Sequence, residues 1–313
     1  MSAKQLYRIA IALAVLLILW GLAEMLGTGS DTTTARFDLP KLTAADVDTV
    51  KIFRVTDTLL LVKQAETWSV NGHLASSQAV TDLFNGLKDT MQAELVAQSA
   101  TSHAQLGVDS ATGKRLELIK GGQRLASVVV GNRGPGWQGV YARRPGEGEV
   151  YLIHADLGNV VERQLDDWRD KQIAAVEPDS VSEVRVQLRR GGYSLRRGEQ
   201  GWAFVGGAKA DSGEVRRLLE QYRTFSADGF PTPAQADSLD FRRPDRRITL
   251  LGRSAPLAEL VFDSTAAWWY VRRPEGEVVY RLGSWRMSQL IPADSTLRAK
   301  PDTSTARPDS AQK

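Results

Sequence analysis

The 313-residue sequence contains no cysteine, which excludes structural disulfides, thiolate metal sites and thiol catalysis and leaves the compartment to be read from other features. Histidine is nearly as scarce. The three present, His73, His103 and His154, stand far apart; none are spaced i, i+4 as on a zincin helix, and no local cluster offers to hold a metal. A large excess of either charge is lacking too: 40 Lys and Arg face 37 Asp and Glu, a formal net charge of +3. No nucleic-acid partner is expected from so even a balance. The surplus is unevenly placed, because the stretch up to Glu177 is net acidic and the stretch from Pro178 to Pro292 is net basic, an asymmetry suited to docking. No serine lies in a nucleophile-elbow pattern, so hydroxyl catalysis has no local signal.

Long apolar runs are also missing, with one exception at the start of the chain. Lys4 and Arg8 precede an uncharged apolar run over residues 9–22, and Glu24 and Asp31 follow it. As a helix, residues 7–26 would span ~30 Å, about the thickness of a hydrocarbon core. Cations before the run and acids after it place the N-terminus in the cytoplasm and the bulk of the chain in the periplasm or outside. The rival is a cleaved signal peptide. The anchor is favoured because the run is long and the small-residue pattern Gly21-Leu22-Ala23 lies inside it. The expectation is a single-pass inner-membrane protein with a transmembrane anchor at 1–26. Residues 27–46 open with Gly, Ser, Thr and Asp and read as a linker; residues 293–313 mix Pro, Ser, Thr, Ala and charge and read as a disordered tail.

Between these lies a repeat. Tyr141-Ala142-Arg143-Arg144-Pro145 recurs as Tyr270-Val271-Arg272-Arg273-Pro274, and six of thirteen positions over 141–153 are identical without a gap, where chance at about one in twenty predicts fewer than one. Trp68-Ser69-Val70 before Val80, Leu83, Phe84 and Leu87 corresponds to Trp202-Ala203-Phe204 before Val215, Leu218, Leu219 and Tyr222, a strand leading to an amphipathic helix in each copy. Strands are predicted at 49–55, 59–63, 115–120, 125–131, 140–143, 184–189 and 247–251, with a further helix at 156–165. The predicted fold class is α+β: an N-terminal transmembrane helix followed by two tandem repeats, 47–177 and 178–292, of antiparallel sheet packed with one or two helices.

Several apparent motifs fail on context. Gly134-Pro135-Gly136-Trp137-Gln138-Gly139 has the spacing of a dinucleotide fingerprint, but the next predicted element is a strand where the pyrophosphate needs a helix N-terminus. A glycine-rich hairpin loop accounts for it better. Residues 107–114 miss the phosphate-loop spacing, and Arg115 stands where Ser or Thr would hold magnesium. Asp166, Asp167 and Asp170 lie among Arg163, Arg169 and Lys171, the composition of a solvated ion-pair network. Catalytic, metal-binding and cofactor-binding residues are therefore assigned to none, and a non-enzymatic protein is expected.

The duplicated Tyr-x-Arg-Arg-Pro segment supplies the candidate interaction residues Tyr141, Arg143, Tyr270 and Arg272. On a strand, Tyr and Arg two positions apart share a face and would suit a partner carboxylate or phosphate. A structural reading competes, in which Tyr packs on the sheet, Arg stacks over it and Pro sets the turn. Trp268 and Trp269 join the candidates because strand neighbours face opposite ways, so one of them is left for solvent or a partner. Arg242, Arg243, Arg246 and Arg247 form a basic patch, either a solvated turn or a docking site for an acidic group.

Trp68, Leu106-Gly107-Val108-Asp109, Val128-Val129-Val130-Gly131, the Tyr-x-Arg strand and Trp168-Arg169-Asp170-Lys171 together resemble a bacterial family known only as domain of unknown function 4340. The resemblance covers about 49–292. Copy two departs from it, with Ser238-Leu239-Asp240 for Leu-Gly-Val-Asp and Phe262-Asp263 for the strand-ending Val-Gly. The resemblance implies a membrane-tethered accessory or scaffold protein of ABC-type envelope transport, of the gliding-motility kind, with transporter permease or auxiliary subunits as partners and no catalytic residues to carry over. The alternatives are an envelope glycan- or ligand-binding module and a periplasmic hydrolase whose residues converge only in space.

Overall fold

The computed structural model describes residues 34–40, 42–87 and 90–300. The apolar segment 7–26 lies outside them, and no described helix is long and apolar enough to cross a membrane. Two compact units divide between Arg169 and Asp170.

The first unit is built on one antiparallel sheet. Its strands are Thr34–Asp38 (β1), Thr49–Phe53 (β2), Thr58–Gln64 (β3), Thr67–Val70 (β4), His73–Leu74 (β5), Thr90–Ala97 (β6), Lys114–Lys120 (β7), Gln123–Arg133 (β8), Val140–Arg143 (β9) and Val150–Ile153 (β10). Their order is β1-β6-β10-β9-β8-β7-β2-β3-β4-β5. Alternation decides which face is buried: Val50, Ile52, Leu59, Leu61, Leu116 and Leu118 point to one side and are almost fully enclosed. Helix Ser77–Gly86 covers that side with Ala79, Val80 and Leu83, and helix Leu157–Glu162 adds Leu157, Val160 and Val161. Each such Leu or Val contributes about 1.5–3 kcal/mol relative to exposure. The other face carries a smaller cluster of Val108, Val129 and Val150.

The second unit contains Gln172–Ala174 (β11), Glu183–Leu188 (β12), Gly192–Gly198 (β13), Gly201–Phe204 (β14), Phe225–Ser226 (β15), Arg246–Leu251 (β16), Pro256–Ser264 (β17), Trp268–Arg272 (β18) and Tyr280–Gly283 (β19). β11 pairs with β15, and the other seven strands run β14-β13-β12-β16-β17-β18-β19. The same seven-strand order occurs in the first unit as β4-β3-β2-β7-β8-β9-β10. Helix Ser212–Glu220 buries Val215, Leu218 and Leu219, as Ser77–Gly86 does in the first unit.

Each unit is closed by the same pair of contacts. Ser76 N–H donates to the Trp168 carbonyl at 2.8 Å and Asp211 N–H to the Leu297 carbonyl at 2.8 Å; Ala75 bridges Arg169 and Ala210 bridges Arg298. Leu297 is buried in the second core. The stretch read as a tail thus begins with a folded piece, helix Asp294–Leu297. Within the stretch read as a linker, 34–38 form β1, and Phe37 is fully buried.

The α+β expectation is corrected. Among the described residues the chain is mostly β, with nineteen strands in three antiparallel sheets and no helix longer than the ten residues of Ser77–Gly86. The helix expected at 156–165 breaks at Arg163, whose ψ of 127° is extended. Its guanidinium reaches Asp82 at 2.8 Å and its carbonyl accepts from Arg54 at 2.9 Å, tertiary bonds that outweigh helix propensity.

Candidate functional site

The repeated Tyr-x-Arg strands are the natural place to look for a site, and each lies on the sheet face away from its main core. In β9, Val140 and Ala142 join the first core, so Tyr141 and Arg143 share the opposite face. Tyr141 packs against Val108, Val129 and Val150. Arg143 donates Nε–H to the Val108 carbonyl at 2.7 Å and Nη1–H to the Arg144 carbonyl at 3.2 Å. The strand thereby clamps the Leu106-Gly107-Val108 segment onto the sheet. Gly131 permits the approach, because a Cβ there would lie 2.4 Å from the Leu106 carbonyl oxygen.

In β18, Trp269 and Val271 face the second core, and Trp268, Tyr270 and Arg272 face away from it. That face is covered by the segment 228–241. The Arg272 guanidinium lies 4.9 Å over the Phe241 ring, and Asp228 accepts the Gly283 N–H at 2.7 Å. Tyr270 is fully enclosed, and among the described residues its buried hydroxyl has no hydrogen-bond partner. Trp268 and Trp269 are both half-buried, and each carries an arginine at 4.7 Å, Arg281 and Arg246 respectively, a contact worth ~0.5–1 kcal/mol.

The departure of copy two from the family pattern has a direct physical cause. Where Gly131 lets the backbone come close, Asp263 instead sends its carboxylate across, and Oδ2 accepts the Asp240 N–H at 2.7 Å. Register fixes the equivalence, since Val130 pairs with Ala142 as Phe262 pairs with Val271. The strand-ending residue and the segment above it have changed together. This coupling was not predicted from sequence.

The remaining motifs fall into place locally. The loop Gly134-Pro135-Gly136-Trp137 joins β8 to β9 and leads into a strand, with Gly136 and Trp137 both at φ 64°. Asp109 accepts from the Thr112 N–H at 2.9 Å and the Thr112 hydroxyl at 2.6 Å, bonds that hold its carboxyl below the ordinary carboxylate range. His103 Nε2 meets the Gly148 carbonyl at 2.9 Å. His154 lines a cleft with Asp82 and Asp156. Asp170 accepts the Gln172 N–H at 3.0 Å. In the basic patch, Arg246 stacks on Trp269 and Arg247 pairs with Glu259. Among the described residues no group of His, Asp and Glu converges as a metal site would require.

The family described as Domain of unknown function (DUF4340) matches residues 68–244, more than half of the chain. No curated protein and no solved structure matches it.

Proposed function

Since the chain belongs to the domain of unknown function 4340 family, we infer a non-enzymatic accessory or scaffold role in an ABC-type envelope transport complex, gliding-motility-like, with residues 7–26 as the membrane tether. The observation that carries this reading is the use made of the signature residues. Arg143 holds the Val108 carbonyl, Arg272 lies over Phe241 and Tyr270 is enclosed, so the most distinctive side chains of both copies brace the sheets against their covering segments. Two braced, mostly β units on one tether suit a part that presents surfaces to neighbouring subunits. The apolar run with cations before it and acids after it supports the periplasmic placement.

Affinity purification of the full chain in mild detergent tests the reading. A transporter permease or ATPase is expected to co-purify; recovery of folded protein without either refutes it.

An envelope glycan-binding role is the second reading, favoured by Trp137, which is 79% exposed on its hairpin loop. An exposed indole offers a face for a sugar ring. Retention on peptidoglycan that disappears in Trp137→Ala is the expected result, and retention unchanged by that substitution counts against it.

A further inference from the structure

A row of side chains crosses the outer face of each sheet, and the two rows differ in one informative way. In the first unit the row runs Phe53, Arg115, Val129, Arg143 across β2, β7, β8 and β9. In the second it runs Gln187, Arg247, Val261, Arg272. The Arg-Val-Arg core of the row is shared.

In the second unit both arginines have close neighbours of their own. Arg247 pairs with Glu259 on the adjacent strand, and the Arg272 guanidinium lies 4.9 Å over the Phe241 ring. In the first unit the row opens into a cleft of about 410 Å³, lined by Phe53, Arg54, Arg115 and Arg143, by Asp109, Ser110, Ala111 and Gly113, and by Pro145 and Gly146. The Arg115 guanidinium carbon lies 4.4 Å from the Phe53 ring centre, and its Nε faces Glu117, which leaves the two terminal nitrogens for a ligand. Its carboxylate partner Glu117, at 3.2 Å, is shared with Arg124 at 3.3 Å. Arg143 meets only the carbonyls of Val108 and Arg144; among the described residues it meets no carboxylate.

We propose that this cleft of the first unit binds a carboxylate side chain of an acidic peptide segment. A planar guanidinium edge matches a carboxylate with two parallel bonds. Asp109 lies within the cleft, and its charge is tolerated by a monoanionic carboxylate more readily than by a phosphate dianion. Val55, 72% exposed at the rim, and Pro145 offer apolar contact to residues flanking the acid. In the second unit the corresponding arginines already have neighbours, Glu259 at Arg247 and the Phe241 ring at Arg272. This inference goes beyond the transporter reading and does not require it.

The test is fluorescence anisotropy of a labelled hexaglutamate peptide with the full chain in detergent micelles at low salt. Saturable binding is expected, weakened about tenfold in Arg115→Gln by loss of charge-assisted bonds and unchanged in Arg247→Gln. Arg115 is the primary variant because its side chain is 46% exposed; Arg143→Gln is the second, and circular dichroism of both variants checks that they fold. Absence of saturable binding overturns the proposal. So does binding unaltered in Arg115→Gln, or displacement by inorganic phosphate at lower concentration than by glutarate.

Discussion

The Asp263 carboxylate accepts the Asp240 N–H at 2.7 Å, bridging a strand end to the segment that covers it where the first unit uses a bare glycine. Removing the acceptor strands an N–H in a partly buried place, so Asp263→Ala is expected to cost about 1–3 kcal/mol. In the first unit the equivalent insult is the reverse: Gly131→Ala pushes a methyl to 2.4 Å from the Leu106 oxygen and is expected to cost ~1–3 kcal/mol as overpacking. Urea midpoints of both variants check the pair.

Leu297 closes the second unit as Trp168 closes the first. Leu297→Ala should lower stability by about 2–5 kcal/mol, and a chain ending at Ala293 should show at least the same loss. Thermal unfolding of the two variants measures it, and an unchanged melting profile would contradict the fold at this end.

Helix entry is controlled by one side chain in each copy. The Ser76 hydroxyl accepts the Ala79 N–H at 3.3 Å, and the Asp211 carboxylate accepts from Gly213 at 2.8 Å and Glu214 at 3.1 Å. Replacement of either by Ala is expected to cost ~0.5–2 kcal/mol. Asp211 should prove the more costly, because it bonds two N–H groups and its charge favours the helix N-terminus. Denaturant titration gives the comparison.

Alkaline pH should unfold the protein through two tyrosines. Burial raises Tyr222 and Tyr193 above the usual phenol value of 10.0, and their hydroxyls donate to the Leu290 carbonyl at 2.7 Å and the Pro292 carbonyl at 2.8 Å. Below about pH 10 both are neutral in the folded and unfolded chains, so their contribution is fully present. Above it the unfolded chain loses protons that the folded one keeps, and stability falls as pH rises towards the folded values. Denaturant midpoints taken from pH 8 to 11 should therefore decline above pH 10, and Tyr222→Phe with Tyr193→Phe should flatten the decline.

Trp137 and Trp285 are 79% and 66% exposed, whereas Trp68, Trp168 and Trp202 are buried. Acrylamide quenching should fall markedly in Trp137→Phe combined with Trp285→Phe. Little change would place other indoles at the surface.

The repeat was legible because its marks are local: a strand, a Pro turn and a second strand lie within a few residues of each other, and alternation reports their faces directly. Contacts distant in sequence were not. Arg143 meets Val108 across 35 positions and Asp263 meets Asp240 across 23; neither separation leaves a periodic trace. The helix break at Arg163 depends on Asp82, 81 positions away, so a window centred on 156–165 shows only the amphipathic pattern. Leu297 is a lone large apolar residue among polar ones, which composition reads as tail although its carbonyl and side chain are both engaged. The arginine row was invisible for a related reason: Arg115 and Arg143 are neighbours only through the register of β8 between them.

β1 stands at the margin of the described sheet and is joined to it through five residue pairs with β6. It is also the first described element after residues 1–33. Any tension carried along the chain from that direction therefore reaches the first unit through this ribbon and the enclosed Phe37 ring, which touches Tyr151 at 5.5 Å between ring centres. Under pull, this strand is the first to take the load, so it sets how much force the unit withstands before its remaining nine strands are disturbed.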